Sequence, residues 1–386
     1  MMKGCGAIIV GAGFGGLVAA LSLQRFGVPC RVFEKAPTLD EVGAGISLSP
    51  NSTRVLIALG LRRQLDRICN SPEALCTKHF DTGEIRSLDE SVNYDEQYGA
   101  PYYQVHRADL HALLTDAILS NDPQAIRLNS EFVRFENRDA SAVAYFADGS
   151  SAVGEALIGC DGVKSLMRDL LWRPGEPRYL GYVAYRGLTP VDRLPDGLIV
   201  PSSATFSGPG RHFTRYLIRG GELVNYVAFA QRTEWTDEGW FVGAETDEVL
   251  EHFADWAPEV LQIIRNTREG RCHKWGLFGR DPLPQWTRGR ATLLGDAAHP
   301  MLPFLGQGSS IAIEDGFVLA RALAEYDDPA TALARYEAAR LPRANETVEQ
   351  SAAQGERKHR KPGPGDTIHK FLQTELFTYD ATSVAI

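Results

Sequence analysis

Cysteine is scarce in this chain of 386 residues: six, at positions 5, 30, 69, 76, 160 and 272, with no CxxC pair and no His and Cys spacing suited to zinc. This excludes a disulfide framework and a zinc module, and fits reduced thiols in a cytoplasmic protein. Long apolar runs are missing too. The short run after Lys3 resembles the start of a secretory signal but is cut by Gly11, Gly13, Gly15 and Gly16, and no segment reaches the length of a membrane span. Positive charge is in deficit, 40 Lys and Arg against 49 Asp and Glu for a net charge of -9, which argues against nucleic acid or stable membrane association. The one basic cluster, Arg357 to Lys361, reads as a solvated helix end or tail. There is no internal repeat. The remainder, 44% apolar and 23% charged, is ordinary globular composition in a chain long enough for two domains.

Two stretches carry chemistry. Ala7 to Val10 reads as a buried strand, Gly11 to Gly16 as a turn, Leu17 to Phe26 as a helix closed by Gly27, and Cys30 to Phe33 as a second strand ending at Glu34. In that βαβ setting Gly11-x-Gly13-x-x-Gly16 is a dinucleotide fingerprint rather than a chance glycine run. The glycines permit the turn, the approach of a pyrophosphate to the helix N-terminus and close helix-strand packing. Glu34 stands where it would accept ribose hydroxyls. The second stretch runs from Ala291 to Leu323: a short strand stopping at Gly295-Asp296, an irregular segment from Pro300 to Gly308, and a helix from Ser309. Asp296 could hold a sugar-like hydroxyl, Gly306 and Gly308 would let a flat ligand lie against the backbone, and the helix N-terminus favours an electron-rich one.

Between them lie a glycine turn from Val42 to Ile46, a helix from about Ser52 to Leu59 with Ser49 or Asn51 as cap, a strand Tyr102 to His106 and a helix from Arg107 to about Leu119. Strand candidates fall near Ile126 and at 132–135, 142–146 and 156–159, the last running into Asp161-Gly162 and a helix. Alternation from Ser71 to Ala100 and from 182 to 275 suggests a separate sheet. Helical period returns at Glu248 to Asn266 and Ala330 to Gln354.

Taken together in this order, Gly11-x-Gly13-x-x-Gly16 with Glu34, Asp161-Gly162 with Ser165 and Arg168, and Gly295-Asp296-Ala-Ala-His-Pro300 resemble the single-component FAD-dependent aromatic hydroxylases, the salicylate and hydroxybenzoate hydroxylase family, over roughly residues 5 to 345. The resemblance implies an α/β fold: a Rossmann-like FAD-binding domain of the hydroxybenzoate hydroxylase type (1–70, 100–175 and 276–355), an inserted β-sheet substrate domain (71–99 and 176–275) and a C-terminal tail (356–386). It further implies that the first motif binds the ADP half of FAD, that Arg107 reaches the linking region, that Asp296 holds the ribityl chain and that Pro300 to Gly308 flank the isoalloxazine. Asp161 would serve both FAD and NAD(P)H, with NADH favoured; its alternative role is a turn or helix-capping acid. The implied reaction consumes NAD(P)H and O2 and hydroxylates an activated ring through a flavin C4a-hydroperoxide. A monomer or homodimer is expected.

Such chemistry calls for a base near the phenol, whose free pKa is about 10, in a site that excludes water. On a strand, His212, Thr214 and Tyr216 face one way, and the His-x3-Tyr spacing is similar to the pair lining the family's substrate pocket. The alternative is a His and a Tyr merely packed on a sheet face. His299 is read as structural. Ser47 and Phe304 stand where the hydroxynicotinate branch carries histidines, and Pro303 where a hydroxybenzoate 6-hydroxylase has glutamine. By elimination these departures favour a salicylate-like phenolic acid, with Arg186, Arg211 or Arg215 as carboxylate partner. The other reading is an FAD protein of the same fold without hydroxylation, an NADH oxidase or a binding protein.

Overall fold

A computed structural model describes residues 5–39, 44–89, 93–173, 175–236, 242–358 and 368–386. The first half of the Val42 to Ile46 turn and residues 359–361 of the basic cluster lie outside them.

The apolar strands Cys5–Val10 and Cys30–Phe33 are parallel neighbours, joined by helix Phe14–Arg25 as the glycine pattern requires. The sheet they start runs in the order Ile126–Arg127, Cys30–Phe33, Cys5–Val10, Ser151–Gly159, Ala142–Phe146, Phe132–Asn137, with Ala291–Leu293 pairing in parallel with Leu157 to Gly159. Chain segments from both ends of the sequence thus meet at the carboxyl ends of parallel strands, where open α/β sheets bind ligands. Helix Gly308–Glu325 crosses helix Phe14–Arg25 so tightly that a Cβ on Gly316 would lie 2.7 Å from the Ala19 nitrogen. Glycine is required at that crossing.

The second sheet has eight strands: Val242–Glu245, Arg271–Gly279, Arg178–Pro190, Leu223–Gln231, Arg211–Ile218, Ser203–Gly208, Leu75–His79 and Ile85–Asp89. Leu75 to His79 pairs in parallel with Ser203 to Ser207, so the two alternating regions of sequence share one sheet. In central strands such as Leu223–Gln231 burial does not alternate because both faces are covered, whereas the edge strand Ile85–Asp89 is exposed. Phe206, Phe213, Tyr226, Val183 and Tyr185 pack on helices Thr246–Phe253 and Pro258–Arg265, while on the opposite face Tyr216 and Asn225 abut Gly45 and Phe229 packs with Phe304. The single helical period expected from 248 to 266 is two helices, because Pro258 disfavours helical backbone at Ala257 and begins the second helix at its first turn.

One further expectation changes. Ser49 occupies the cap position of helix Pro50–Ala58, but its side chain makes no cap bond; its Oγ instead lies 2.6 Å from Oδ1 of Asn51 in a buried polar cluster. The C-terminal tail, where it is described, packs on the body of the protein. Helix Ile368–Thr378 folds back, with Phe377 edge-on to Tyr94 and Tyr98, and Arg54 donates to the carbonyl of Tyr379 at 2.6 Å. Near the end, Arg321 holds the carbonyls of Ala381 and Val384.

Candidate active site

The glycine turn is built against the first sheet. Gly11 has φ 104°, and a Cβ there would sit 2.4 Å from the carbonyl oxygen of Cys160; one on Gly16 would sit 2.2 Å from the Gly11 oxygen. Gly13, the N-cap of helix Phe14–Arg25, has nothing within 4 Å of its Cβ direction. Two glycines therefore close the turn and the third faces open space at a helix N-terminus, which suits a pyrophosphate. Glu34 accepts from the N–H of Ala12 at 2.8 Å through Oε2 and from the N–H of Ala36 at 2.9 Å through Oε1, so its carboxylate braces this turn. Arg107, first residue of helix Arg107–Asn121, lays its guanidinium 4.7 Å from the ring of Phe14.

Asp161 caps helix Leu166–Trp172: it accepts from the Ser165 hydroxyl and from the Met167 N–H at 3.1 Å. The capping alternative thus accounts for its visible bonds. Arg168, buried, does not pair with it but donates to the carbonyls of Ala297 and Ala298, fixing the turn that presents Asp296. The Asp296 carboxylate is solvent-exposed yet enclosed by protein, the signature of a cleft wall. Enclosure raises its pKa, against the pull of His299 and Arg107. Arg107 and Asp296, far apart in sequence, therefore lie within electrostatic reach of one another. Gly308 lies beside them, its Cβ direction 4.0 Å from Oδ1 of Asp296, and Gly306 takes left-handed backbone (φ 65°) with open space around it.

His299 is fully buried and bonds Asp315 at 2.5 Å; Asp315 also accepts from Arg340 at 2.7 Å, and Glu314 pairs with Arg340 at 2.6 Å and Arg343 at 2.8 Å. This network anchors helix Gly308–Glu325 to helix Pro329–Lys358, so His299 belongs to the scaffold.

His212, Thr214 and Tyr216 share the sheet face that looks toward the cleft. His212 is flanked by Phe229, in stacked contact, and by Phe304 at 5.4 Å between ring centroids. Phe304 comes from the segment after Pro303, itself exposed, and packs with Ala184, Val227, Phe229 and Leu277. The Pro300 to Gly308 loop and the sheet face thus meet at His212. Arg186 sits across from Val227, which sits across from Thr214, so its side chain projects from the same face; it stacks over Trp275 at 5.1 Å. Arg211 and Arg215 project from the opposite face. Arg211 pairs with Asp255 at 2.7 Å and Arg215 with Glu259 at 2.6 Å, so neither can serve as the carboxylate partner. The period of two in a strand decides this.

Sequence reasoning did not place strand Gly45–Leu48 at this face. A Cβ on Gly45 would lie 2.6 Å from the Tyr216 ring and 2.7 Å from Cγ of Asn225, so the strand that carries Ser47 abuts the sheet. Asn225, across from Tyr216, accepts from the Gly45 N–H at 2.7 Å and fixes the seam between the sheets. Burial raises the pKa of Tyr216 although nearby Arg186 pulls it down, so Tyr216 keeps its proton at neutral pH.

The FAD binding domain family model matches residues 5–177 and 274–351. The 3-amino-4-hydroxybenzoate 2-monooxygenase of Streptomyces platensis is 39% identical over 358 residues, covering 92% of this chain and 89% of that protein. The chain belongs to the FAD-dependent aromatic hydroxylases. A 3-hydroxybenzoate 6-hydroxylase of Aquipseudomonas alcaligenes is 38% identical over 337 residues, covering 87% of this chain and 85% of its own length. Klebsiella pneumoniae HpxO, solved with FAD and uric acid, superposes with a TM-score of 0.82 at 27% identity, covering 97% of this chain and 93% of that one. The glycine turn, the open position at Gly13 and the cleft-wall carboxylate fit FAD as the cofactor of this family member. Among the described residues no helix is long and apolar enough to cross a membrane, and no His, Cys, Asp and Glu grouping suits a metal.

Proposed function

We propose that the protein hydroxylates the ring of a phenolic monocarboxylate, using NAD(P)H, with NADH as the preferred donor, and O2. The observation that carries this reading is the meeting of the His212 sheet face with the Phe304 loop beside the Asp296 cleft, with Arg186, Tyr216 and Ser47 on the same side. Aromatic walls and one cation suit a flat anionic ring. The substrate reading moves from salicylate toward benzoates hydroxylated meta or para to the carboxylate, because the relatives of high identity act on 3-amino-4-hydroxybenzoate and 3-hydroxybenzoate.

In this reading residues 71–99 and 176–275 are the substrate domain, and 1–70, 100–175 and 276–355 bind FAD. Gly13 and the helix behind it hold the pyrophosphate, Glu34 the ribose of the adenosine, Arg107 the linking region and Asp296 the ribityl hydroxyls. Pro303, Gly306 and Gly308 flank the ring system. When bound, FAD would carry the reducing equivalents from NAD(P)H and activate O2. The chain's own residues do the rest. Arg186 draws the carboxylate, Tyr216 donates a hydrogen bond to the phenolic oxygen, and His212 Nδ1 or Nε2 takes the phenolic proton, making the ring electron-rich. Phe229, Phe304 and Trp275 keep water from the reacting carbon.

The test is a panel of hydroxybenzoates and aminohydroxybenzoates scored by product mass and by product formed per NADH oxidised. A stoichiometric hydroxylated product supports the reading. NADH consumption that yields only hydrogen peroxide for every ring makes the protein an oxidase.

A further inference from the structure

The Ala12–Gly13 peptide is held from outside the motif. The ring of His111, buried on helix Arg107–Asn121, places Nε2 2.8 Å from the carbonyl oxygen of Ala12. A carbonyl can only accept, so Nε2 carries the proton. The preceding peptide is fixed from the other side, where Glu34 accepts from the Ala12 N–H at 2.8 Å. In a planar trans peptide the C=O and the following N–H point in opposite directions. Holding the Ala12 oxygen against His111 therefore turns the Gly13 N–H the other way, at the helix N-terminus where nothing lies within 4 Å of the Gly13 Cβ direction. Were this peptide to flip, a carbonyl dipole would replace an N–H facing an anion. Glycine makes such a flip easy on its own side of the bond, so the restraint has to come from elsewhere in the chain.

We propose that His111 is a positioning residue for the cofactor: its Nε2–H fixes the Ala12–Gly13 peptide so that the Gly13 N–H meets the pyrophosphate. Helix Arg107–Asn121 then serves the site twice, through Arg107 at its first residue and through His111 one turn later on the same side. His111 touches no substrate or cofactor atom in this arrangement and acts through the backbone alone.

The proposal separates a hydrogen bond from a ring-shaped filler. Apoprotein is prepared for the unaltered chain, for H111F, which keeps the ring and loses the donor, and for H111Q, which keeps a donor at similar reach and loses the ring. FAD is titrated by quenching of flavin fluorescence and ADP by calorimetry. The FAD dissociation constant of H111F is expected to rise about 3- to 10-fold, the value of one hydrogen bond. ADP should weaken in parallel, and H111Q should stay within about twofold of the unaltered protein. H111F binding FAD normally, H111Q as weak as H111F, or FAD weakened while ADP is not, would each overturn the proposal. If H111F does not fold, H111N, whose amide stops at the Nδ1 position, takes its place under the same criteria. Failure of the unaltered protein to bind FAD would instead overturn the cofactor assignment itself.

Discussion

His212 lies stacked on Phe229, ring centroids 4.2 Å apart and planes at 19°, directly opposite it in the antiparallel pair. With its face on one aromatic ring and Phe304 against it, the imidazole can exchange a proton only through an edge nitrogen. Its orientation is set by packing, so its chemistry can be tested without disturbing the strand. H212F is expected to retain FAD and fold, and to slow hydroxylation by about 10²- to 10⁴-fold. Product formed per NADH oxidised should fall with it, since an unactivated ring lets reduced oxygen escape as hydrogen peroxide. Wild-type rate and coupling from pH 6 to 9 would reduce His212 to a packing role.

Tyr216 differs in kind. Its pKa is raised by burial, so it remains protonated below its ordinary value of about 10 and contributes no ionisation between pH 6 and 9. Y216F should therefore lower kcat/KM by a similar factor at every pH in that range and leave the shape of the profile unchanged. A shifted profile in Y216F would contradict the donor role.

Arginine substitutions separate the two faces of the sheet. R186Q should raise KM for a carboxylated substrate about 10- to 100-fold, the range of a charge-assisted bond, and should lose its penalty when the ring carries an amide instead. R211Q, which breaks the pair with Asp255 on the other face, should leave KM unchanged. Equal effects of the two would remove Arg186 from the pocket.

Acid should unlock the scaffold before it touches the site. Burial alone would raise the pKa values of Glu314 and Asp315, but Arg343, Arg340 and His299 overcome it and both are lowered. For carboxyls depressed on folding, the unfolded chain binds more protons, so the stabilisation is complete above their ordinary values near 4 and is lost as pH falls through the folded ones. Denaturant unfolding between pH 6 and 3 should show this loss. R340M leaves buried charge behind and should cost about 3–5 kcal/mol at pH 7.

Local chemistry was legible in the sequence, and long-range pairing was not. The Gly11 to Gly16 turn announces itself because Gly11 and Gly16 answer steric demands of the turn and the adjacent strand, while Gly13 leaves the helix N-terminus open. The common direction of His212 and Tyr216 follows from strand periodicity, and the same rule already separates them from Arg211 and Arg215. Nothing local could set Leu75 beside Ser203, on strands far apart in the chain, or bring Gly45 against Tyr216, a contact that exists only once two sheets have met. The return of Phe377 onto Tyr94 and Tyr98 was hidden likewise, because the residues it meets lie almost three hundred positions earlier in the chain.

The central strands of the eight-stranded sheet are buried on both sides, and this limits how its substrate range can change. Adding or removing one residue within Arg211–Ile218 would carry Phe213 and Arg215 into the pocket and drive His212 and Tyr216 among the helices, exchanging wall for core in a single step. Length changes are barred from the strand and confined to its ends, such as the turn at Arg219–Gly221. New specificities must therefore arise by replacing side chains at alternate positions. Each such exchange leaves the helix-facing residues untouched.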